Sequence, residues 1–325
     1  MRAVLCSSFT GPQGLRLGEI AEPRPADDEI LIDVHAASVS FMDQLLVSGL
    51  YQMRPPLPFV PGTEASGTVV AVGDKVTQFA PGDRVACSSW TGGYAERMVA
   101  KESKSVRLPD GVPFEAAATV LHVYGTAYYA LVERARAQAG ETVFITGAAG
   151  GVGLAAVDLG RHLGLRVIAG VGTDDKAALV RRYGAGEVIN YRNEDLRDRI
   201  KSITSGQGID IGFDNVGGTI LEQMARLMNW DGRLIPIGFT SGVIPQIPMN
   251  LPLLKNYAII GVFLGAWAER FSAAAAHMND TLMQWLADGQ IRPHIDRLLP
   301  LEEAGEAMRA VANRTVQGRI VLKIR

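Results

Sequence analysis

Thr142-Val143-Phe144-Ile145-Thr146 runs into Gly147-Ala148-Ala149-Gly150-Gly151-Val152-Gly153, and the segment continues to Gly164. The opening residues are β-branched and aromatic, the composition of a short buried strand. Small residues follow, the composition of a turn. Beyond them Val152, Ala155, Ala156, Leu159 and Leu163 recur at helical spacing. Strand, glycine turn and helix in this order aim a helix N-terminus, with its free N–H groups and positive dipole end, at any phosphate that enters. The missing side chains of Gly150, Gly151 and Gly153, with Val152 among them, let the backbone approach it. The stretch points to a dinucleotide pyrophosphate; a glycine-rich turn that binds nothing is the plainer alternative.

Downstream the alternation continues. Strands are expected at 166–171, 187–191, 210–215 and 233–237, and helices at 176–183, 195–204 and 221–229. Pro236 belongs near the end of its strand, because proline donates nothing to a ladder. Such alternation predicts a parallel doubly wound sheet. Upstream, residues 1–120 have a β texture, with short strands at 2–6, 29–36, 67–73 and 82–86 between turns, as in a compact barrel. Residues 115–120 and 126–138 read as helical. After residue 257 come a strand candidate at 258–264, a long helix at 272–288, an amphipathic segment at 301–313 and a strand at 319–324.

Composition narrows the function. With 325 residues and 47% hydrophobic content the chain can bury a large core and divide into two domains. A net charge of −2 gives no footprint for nucleic acid. Cys6 and Cys87 are the only cysteines, too few for a disulfide framework or a cysteine-rich zinc site. The first fourteen residues lack a sustained apolar run, and the most hydrophobic window, 257–268, is too short to span a bilayer. A cytoplasmic protein with no membrane contact is expected. His35, His122 and His162 show no ligand spacing and read as structural or surface residues.

A set of markers runs in order along nearly the whole length: Ser48-Gly49-Leu50-Tyr51, Pro61-Gly62-Thr63-Glu64-Ala65-Ser66-Gly67-Thr68-Val69-Val70-Ala71-Val72-Gly73, Gly82-Asp83-Arg84-Val85, Ala148 to Gly153, Val188-Ile189-Asn190-Tyr191, Asp214-Asn215-Val216-Gly217-Gly218, Gly261-Val262-Phe263-Leu264-Gly265 and Gln317-Gly318-Arg319-Ile320-Val321-Leu322. Through them the chain resembles the zinc-free quinone oxidoreductases of the medium-chain dehydrogenase/reductase superfamily, the group that includes zeta-crystallin. Asp158 stands where the family has Gln, and is expected to face away from the turn without consequence. The resemblance implies an α/β fold. A doubly wound parallel Rossmann domain, residues 121–257, is inserted in a β-rich, GroES-like barrel catalytic domain made of residues 1–120 and 258–325.

Zinc-dependent relatives place Cys, His and Glu around a catalytic metal. Here the matching segments read Ser38-Val39-Ser40-Phe41-Met42-Asp43 and Gly62-Thr63-Glu64, without thiolate or imidazole. That donor set suits tetrahedral zinc poorly, so no metal is expected. Without it the chemistry favours substrates that accept hydride readily, quinones and alkenes conjugated to a carbonyl.

For the cofactor, the end of the second strand carries Val171 where NAD-specific folds carry Asp or Glu. Gly172 and Thr173 would open space for a 2′-phosphate and Lys176 would supply charge. The resemblance puts Lys176 and Tyr191 at that phosphate, so NADPH is expected. Alone, Lys176 is an ordinary solvated residue, and Asp174 and Asp175 argue against an anion unless they point to solvent. The resemblance also places Thr126, Asn215, Gly238, Phe239, Phe263, Gly265 and Arg314 on the cofactor, and Ser40, Asp43 and Tyr51 at the nicotinamide and substrate. Asn215 has a turn residue as its alternative, Phe239 and Phe263 core packing, and Tyr51 simple stacking. Tyr51 is the best side-chain proton donor; water is the other source. The family usually has Asn at the Ser40 position. An enoyl thioester reductase, or a cofactor-binding protein with little catalysis, are the competing readings. The apolar stretch 259–267 is either an edge strand that pairs two subunits as a homodimer or part of the monomer's own sheet.

Overall fold

The structure, a computed structural model, describes residues 1–325. β1 (Arg2–Cys6) and β2 (Leu15–Glu19) pair antiparallel. β3 (Glu29–Val39), α1 (Phe41–Val47), β4 (Glu64–Val72), β5 (Arg84–Ser88), β6 (Arg97–Lys101), β7 (Ser105–Arg107) and α2 (Phe114–Ala117) follow. Next comes α3 (Val123–Tyr128), which runs into a π-helical turn, Tyr129–Arg134. Strands and helices then alternate: β8 (Thr142–Ile145), α4 (Gly151–His162), β9 (Arg166–Val171), α5 (Ala177–Arg182), β10 (Glu187–Asn190), α6 (Leu196–Ile203), β11 (Ile209–Asp214), α7 (Gly218–Leu227), β12 (Met228–Pro236), α8 (Asn250–Lys255), β13 (Ala258–Ile259) and α9 (Leu264–Arg270). The chain closes with α10 (Ser272–Ala287), β14 (Ile295–Pro300), α11 (Ala304–Ala312) and β15 (Arg319–Lys323).

Two compact units result: Met1–His122 with Phe271–Arg325, and Val123–Arg270. The first is built on a seven-stranded sheet ordered β14-β15-β3-β4-β5-β7, with β6 also paired to β3. Its core gathers residues from both chain ends, among them Ile30, Ile32, Val69, Val85, Met98, Met308, Ile320 and Leu322.

In the second unit the sheet is wholly parallel and ordered β10-β9-β8-β11-β12-β13. This is the doubly wound order, and its direction of winding reverses between β8 and β11. A parallel sheet is covered on both faces, which is why its strands read as apolar runs rather than alternating ones. Phe144, Ile168, Ile189, Ile209 and Leu234, one from each of five neighbouring strands, pack with Leu196, Ile200, Leu221 and Met224 of the helices on one face. Each such side chain contributes about 1.5–3 kcal/mol on burial. No helix is long and apolar enough to cross a membrane.

Three expectations need correction. Residues 258–264 are not one strand: β13 has only two residues, and 264 onward is helical. The neighbour explains it. β13 pairs with Arg233 and Leu234 of β12, and beyond them Pro236 has no N–H to extend the ladder. Residues 258–270, grouped above with the chain ends, pack with the parallel sheet instead. The helix expected at 126–138 passes into the π turn and is stopped at Arg136, whose φ of 50° no helix accommodates.

Candidate functional site

The glycine-rich part of the turn after β8 is held by backbone bonds. Ala148 N–H donates to Gly170 O at 3.0 Å, tying the turn to β9, and Gly150 N–H donates to Gly147 O at 3.0 Å. Gly150 caps α4 with no side chain, so the first-turn N–H groups have no side-chain cap. No acidic residue stands in that turn. Such a helix start is an anion cradle. Gly153 sets how close the helix comes. A Cβ there would lie 2.2 Å from Gly147 O and 2.8 Å from Ala148 Cα, both backbone atoms that cannot step aside. The helix start thus packs tightly on the turn and keeps its N-terminus bare, the arrangement dinucleotide-binding folds use for a pyrophosphate.

Beside it, at the reversal of winding, a polar network fixes the ends of β8 and β11. Thr146 hydroxyl donates to Asp214 Oδ1 at 2.5 Å, and Gly217 N–H donates to Asp214 Oδ2 at 2.6 Å. Asn215 donates from its backbone to Thr146 Oγ1 at 3.0 Å and from its amide to Thr146 O at 2.8 Å. Asp214 is fully buried, and burial raises its pKa against the pull of these bonds. The loop after β12 hangs on the same turn: Thr240 and Ser241 N–H groups reach Asn215 O and Val216 O at 3.2 and 2.9 Å. A Cβ on Gly217 would meet the Phe239 ring at 2.8 Å. Gly238 and Phe239 are thus brought to Asn215. Phe239 and Phe263 are 39% and 53% exposed, which the core-packing alternative does not fit. Thr126 is buried on α3. Gly265 lies in α9, whose Trp267 stacks on Tyr129 at 4.5 Å.

At the end of β9, Val171 is buried and supplies no carboxylate. Gly172 lies against the Tyr191 hydroxyl and the Arg192 side chain, 3.6 and 3.5 Å from where its Cβ would be. Asp174 is exposed and accepts from the Asn190 amide at 2.7 Å. Lys176 closes the short 3₁₀ turn Asp174–Lys176. Asp158 corrects the sequence reading. It does not face idle space: it is fully buried, accepts from the Tyr124 hydroxyl at 2.9 Å and pairs with Arg161 at 3.0 Å. A buried carboxylate needs such partners, and here they tie α4 to α3.

The other unit holds a different kind of site, made of side chains. Ser40 caps α1. Its Oγ accepts from Asp43 N–H at 3.1 Å, while Asp43 Oδ2 receives the Ser40 N–H at 2.8 Å and hydroxyl at 2.6 Å. Tyr94 hydroxyl adds a bond to Asp43 Oδ2 at 3.1 Å. Ser40 and Asp43 are both buried, and burial pushes the Asp43 pKa up; its Oδ1 has no partner. Nearby, Ser38 hydroxyl donates to Glu64 Oε2 at 3.0 Å and accepts from Arg319 Nη2, which lies 3.6 Å from Glu64. His122 N–H reaches Glu64 Oε1 at 3.2 Å. Burial pushes Glu64 up to about 7, opposed by Arg319, and holds His122 down to about 4. Thr63 is buried with its hydroxyl unpartnered. Tyr51 is half-buried, its ring 6.2 Å from that of Trp90, and burial keeps its phenol protonated. Arg314 is exposed, at φ 58°.

Sequence reasoning missed Thr146 and Asp214, the pins of the reversal point, and the Arg319–Ser38–Glu64 and Tyr94–Asp43 contacts. For Asp214 a signal existed, a carboxylate at a strand end before two glycines. Arg319 gave none, because it meets Glu64 from the far end of the chain.

Residues 151–280 match the family described as zinc-binding dehydrogenase, and residues 26–110 the alcohol dehydrogenase GroES-like domain. The chain is 37% identical to mouse quinone oxidoreductase-like protein 2, covering 100% of this chain and 92% of that one. It is 38% identical to human quinone oxidoreductase, covering 94% and 92%. Among solved structures, Escherichia coli quinone oxidoreductase complexed with NADPH superposes with a TM-score of 0.91 at 30% identity, over 100% of both chains.

Proposed function

Because the chain belongs to the quinone oxidoreductase family of the medium-chain dehydrogenase/reductases, we propose that it is an NADPH-dependent oxidoreductase that reduces quinones or α,β-unsaturated carbonyls without zinc. The observation that carries this is the bare cradle at the winding reversal, where a Cβ on Gly153 would come within 2.2 Å of Gly147 O. The NADPH-bound relative supports it. NADPH, when bound, supplies the hydride; the chain binds, orients and selects.

In this assignment Gly150, Gly151, Val152 and Gly153 take the pyrophosphate. Gly172, Thr173, Lys176 and Tyr191 take the adenosine 2′-phosphate, since Val171 presents no repelling carboxylate. Thr126, Asn215, Gly238, Phe239, Phe263, Gly265 and Arg314 hold the remainder. Tyr51, protonated at neutral pH, gives a proton or hydrogen bond to the substrate carbonyl in this reading. Ser40 and Asp43 bond to one another, and Asp43 accepts from Tyr94, so in this reading they act by fixing the start of α1. Zinc independence is supported by the donor set: a serine hydroxyl engaged by Asp43, and a threonine where an imidazole would be needed. The short edge strand β13, with exposed Leu253, Leu254 and Ile259 around it, supports a homodimer through that edge. Light scattering at twice the chain mass checks it. The protein is assigned to the cytoplasm.

A steady-state panel of simple quinones, enones and acyl thioester enones with NADPH tests the activity. Turnover with quinones or enones is expected. Turnover confined to acyl thioesters would replace that substrate class, and binding without turnover would make the chain a cofactor-binding protein. Tyr51→Phe is expected to lower kcat about 10-fold; unchanged kcat would remove the phenol from the mechanism.

A further inference from the structure

Arg192 follows Tyr191 directly after β10, and three contacts hold it at the end of β9. Tyr191 N–H donates to Val171 O at 3.2 Å, continuing the β9–β10 register by one residue. Arg192 N–H donates to Asn190 Oδ1 at 3.1 Å. The guanidinium then lies over Gly172, its Nε 3.5 Å and its Cζ 3.8 Å from the position of the absent Cβ. The side chain is exposed and makes no ion pair.

The surroundings are arranged for an anion. Asn190 is 5% exposed, and its amide does two things at once: Oδ1 fixes the Arg192 backbone, and Nδ2 holds the Asp174 carboxylate at 2.7 Å. The carboxylate nearest in sequence to Gly172 is thereby already bonded. Thr173 Oγ1 is shielded from solvent and has no hydrogen-bond partner. The Tyr191 hydroxyl stands 3.6 Å from the same absent Cβ. A planar guanidinium and a phenol beside one glycine, with an unpartnered hydroxyl on the next residue, form a fork-and-donor arrangement that suits a phosphate monoester; an ammonium offers only a point charge.

We propose that Arg192 is the residue that selects the adenosine 2′-phosphate, with the Thr173 and Tyr191 hydroxyls as its companions. Lys176 then adds charge without setting geometry, and Asn190 acts as a positioning residue that keeps Asp174 from Arg192. This rests on the NADPH assignment above.

The test is a binding titration with 2′,5′-ADP and 5′-AMP, which differ only in the 2′-phosphate. Wild type is expected to bind 2′,5′-ADP more tightly. Arg192→Ala is expected to weaken 2′,5′-ADP by ~10- to 100-fold, the range for losing a charge-assisted bidentate contact, with 5′-AMP unchanged. Lys176→Ala is expected to weaken it less. Asn190→Leu is expected to reduce the discrimination by releasing Asp174, and Asn190→Leu with Asp174→Asn to restore it, an outcome that lost folding would not give. If wild type does not discriminate, the NADPH assignment fails and Arg192 with it. If wild type discriminates and Arg192→Ala keeps the full ratio, the Arg192 assignment alone is overturned. Absence of rescue by Asp174→Asn would remove the role of Asn190.

Discussion

The turn after β8 and the cluster around Glu64 are both precise polar sites, built in opposite ways. The first is made of backbone. Its essential feature is a side chain that is missing at Gly153, and its contacts run between residues close in the chain or on adjacent strands. The second is made mostly of side chains whose owners are far apart: Ser38 and Glu64 meet Arg319 from the other end of the chain, the His122 backbone N–H reaches Glu64, and Tyr94 meets Asp43. A backbone site tolerates most neighbours and no added atom. A buried side-chain site tolerates small shifts of shape and no lost partner, because each charge there depends on the others for what water would have supplied.

The largest effect should come from violating the first rule. Gly153→Val places branched carbon where Gly147 O and Ala148 Cα already sit. Overpacking of this kind costs ~1–3 kcal/mol in stability and displaces the helix start. Loss of measurable NADPH binding by fluorescence titration is expected, and wild-type affinity would show that the cradle does not carry the pyrophosphate.

Violating the second rule comes next. Arg319→Met leaves Glu64 buried without its cation and is expected to cost about 3–5 kcal/mol in chemical denaturation at pH 8. At pH 5 the loss should be smaller, because Glu64, pushed up to about 7, takes a proton there. Equal losses at both pH values would contradict the burial of a charged pair.

The smallest effect is a slope. Glu64 has its folded pKa raised to about 7 from 4.5, so the stability it contributes is full below 4.5 and is lost as pH rises through about 7. His122 has its folded pKa lowered to about 4 from 6.5, so its contribution is full above 6.5 and is lost as pH falls towards 4. Between 4.5 and 6.5 the two oppose each other. Glu64→Gln should leave only the His122 slope in that window, so stability rises with pH more steeply than in wild type, by at most about 1.4 kcal/mol per unit. A variant with the wild-type profile would show that Glu64 does not titrate there.

Much of the second unit was legible. Strand, glycine turn and helix are local patterns, and their alternation predicts a parallel sheet because few other topologies join such elements. The misreadings there each have a tertiary cause. The strand at 258–264 looked apolar enough, but Pro236 on its neighbour offers no ladder beyond Leu234. Asp158 looked neutral because the sequence could not say that Tyr124 and Arg161 would meet it. In the first unit Ser40 and Asp43 form a capping box at the start of α1, a serine followed three residues later by an acid, which is a local pattern as well.

By itself, then, the sequence determined the parallel sheet, the cradle and the absence of a carboxylate at Val171, because each depends on residues within a turn or two of one another. Only the tertiary structure decided how Thr146 pins Asp214 and Asn215, how Arg319 reaches Glu64 and how the Asn190 amide joins Asp174 to the Arg192 backbone. Those contacts join side chains that the chain brings together only when it folds, and burial then shifts their protonation in ways no local pattern records.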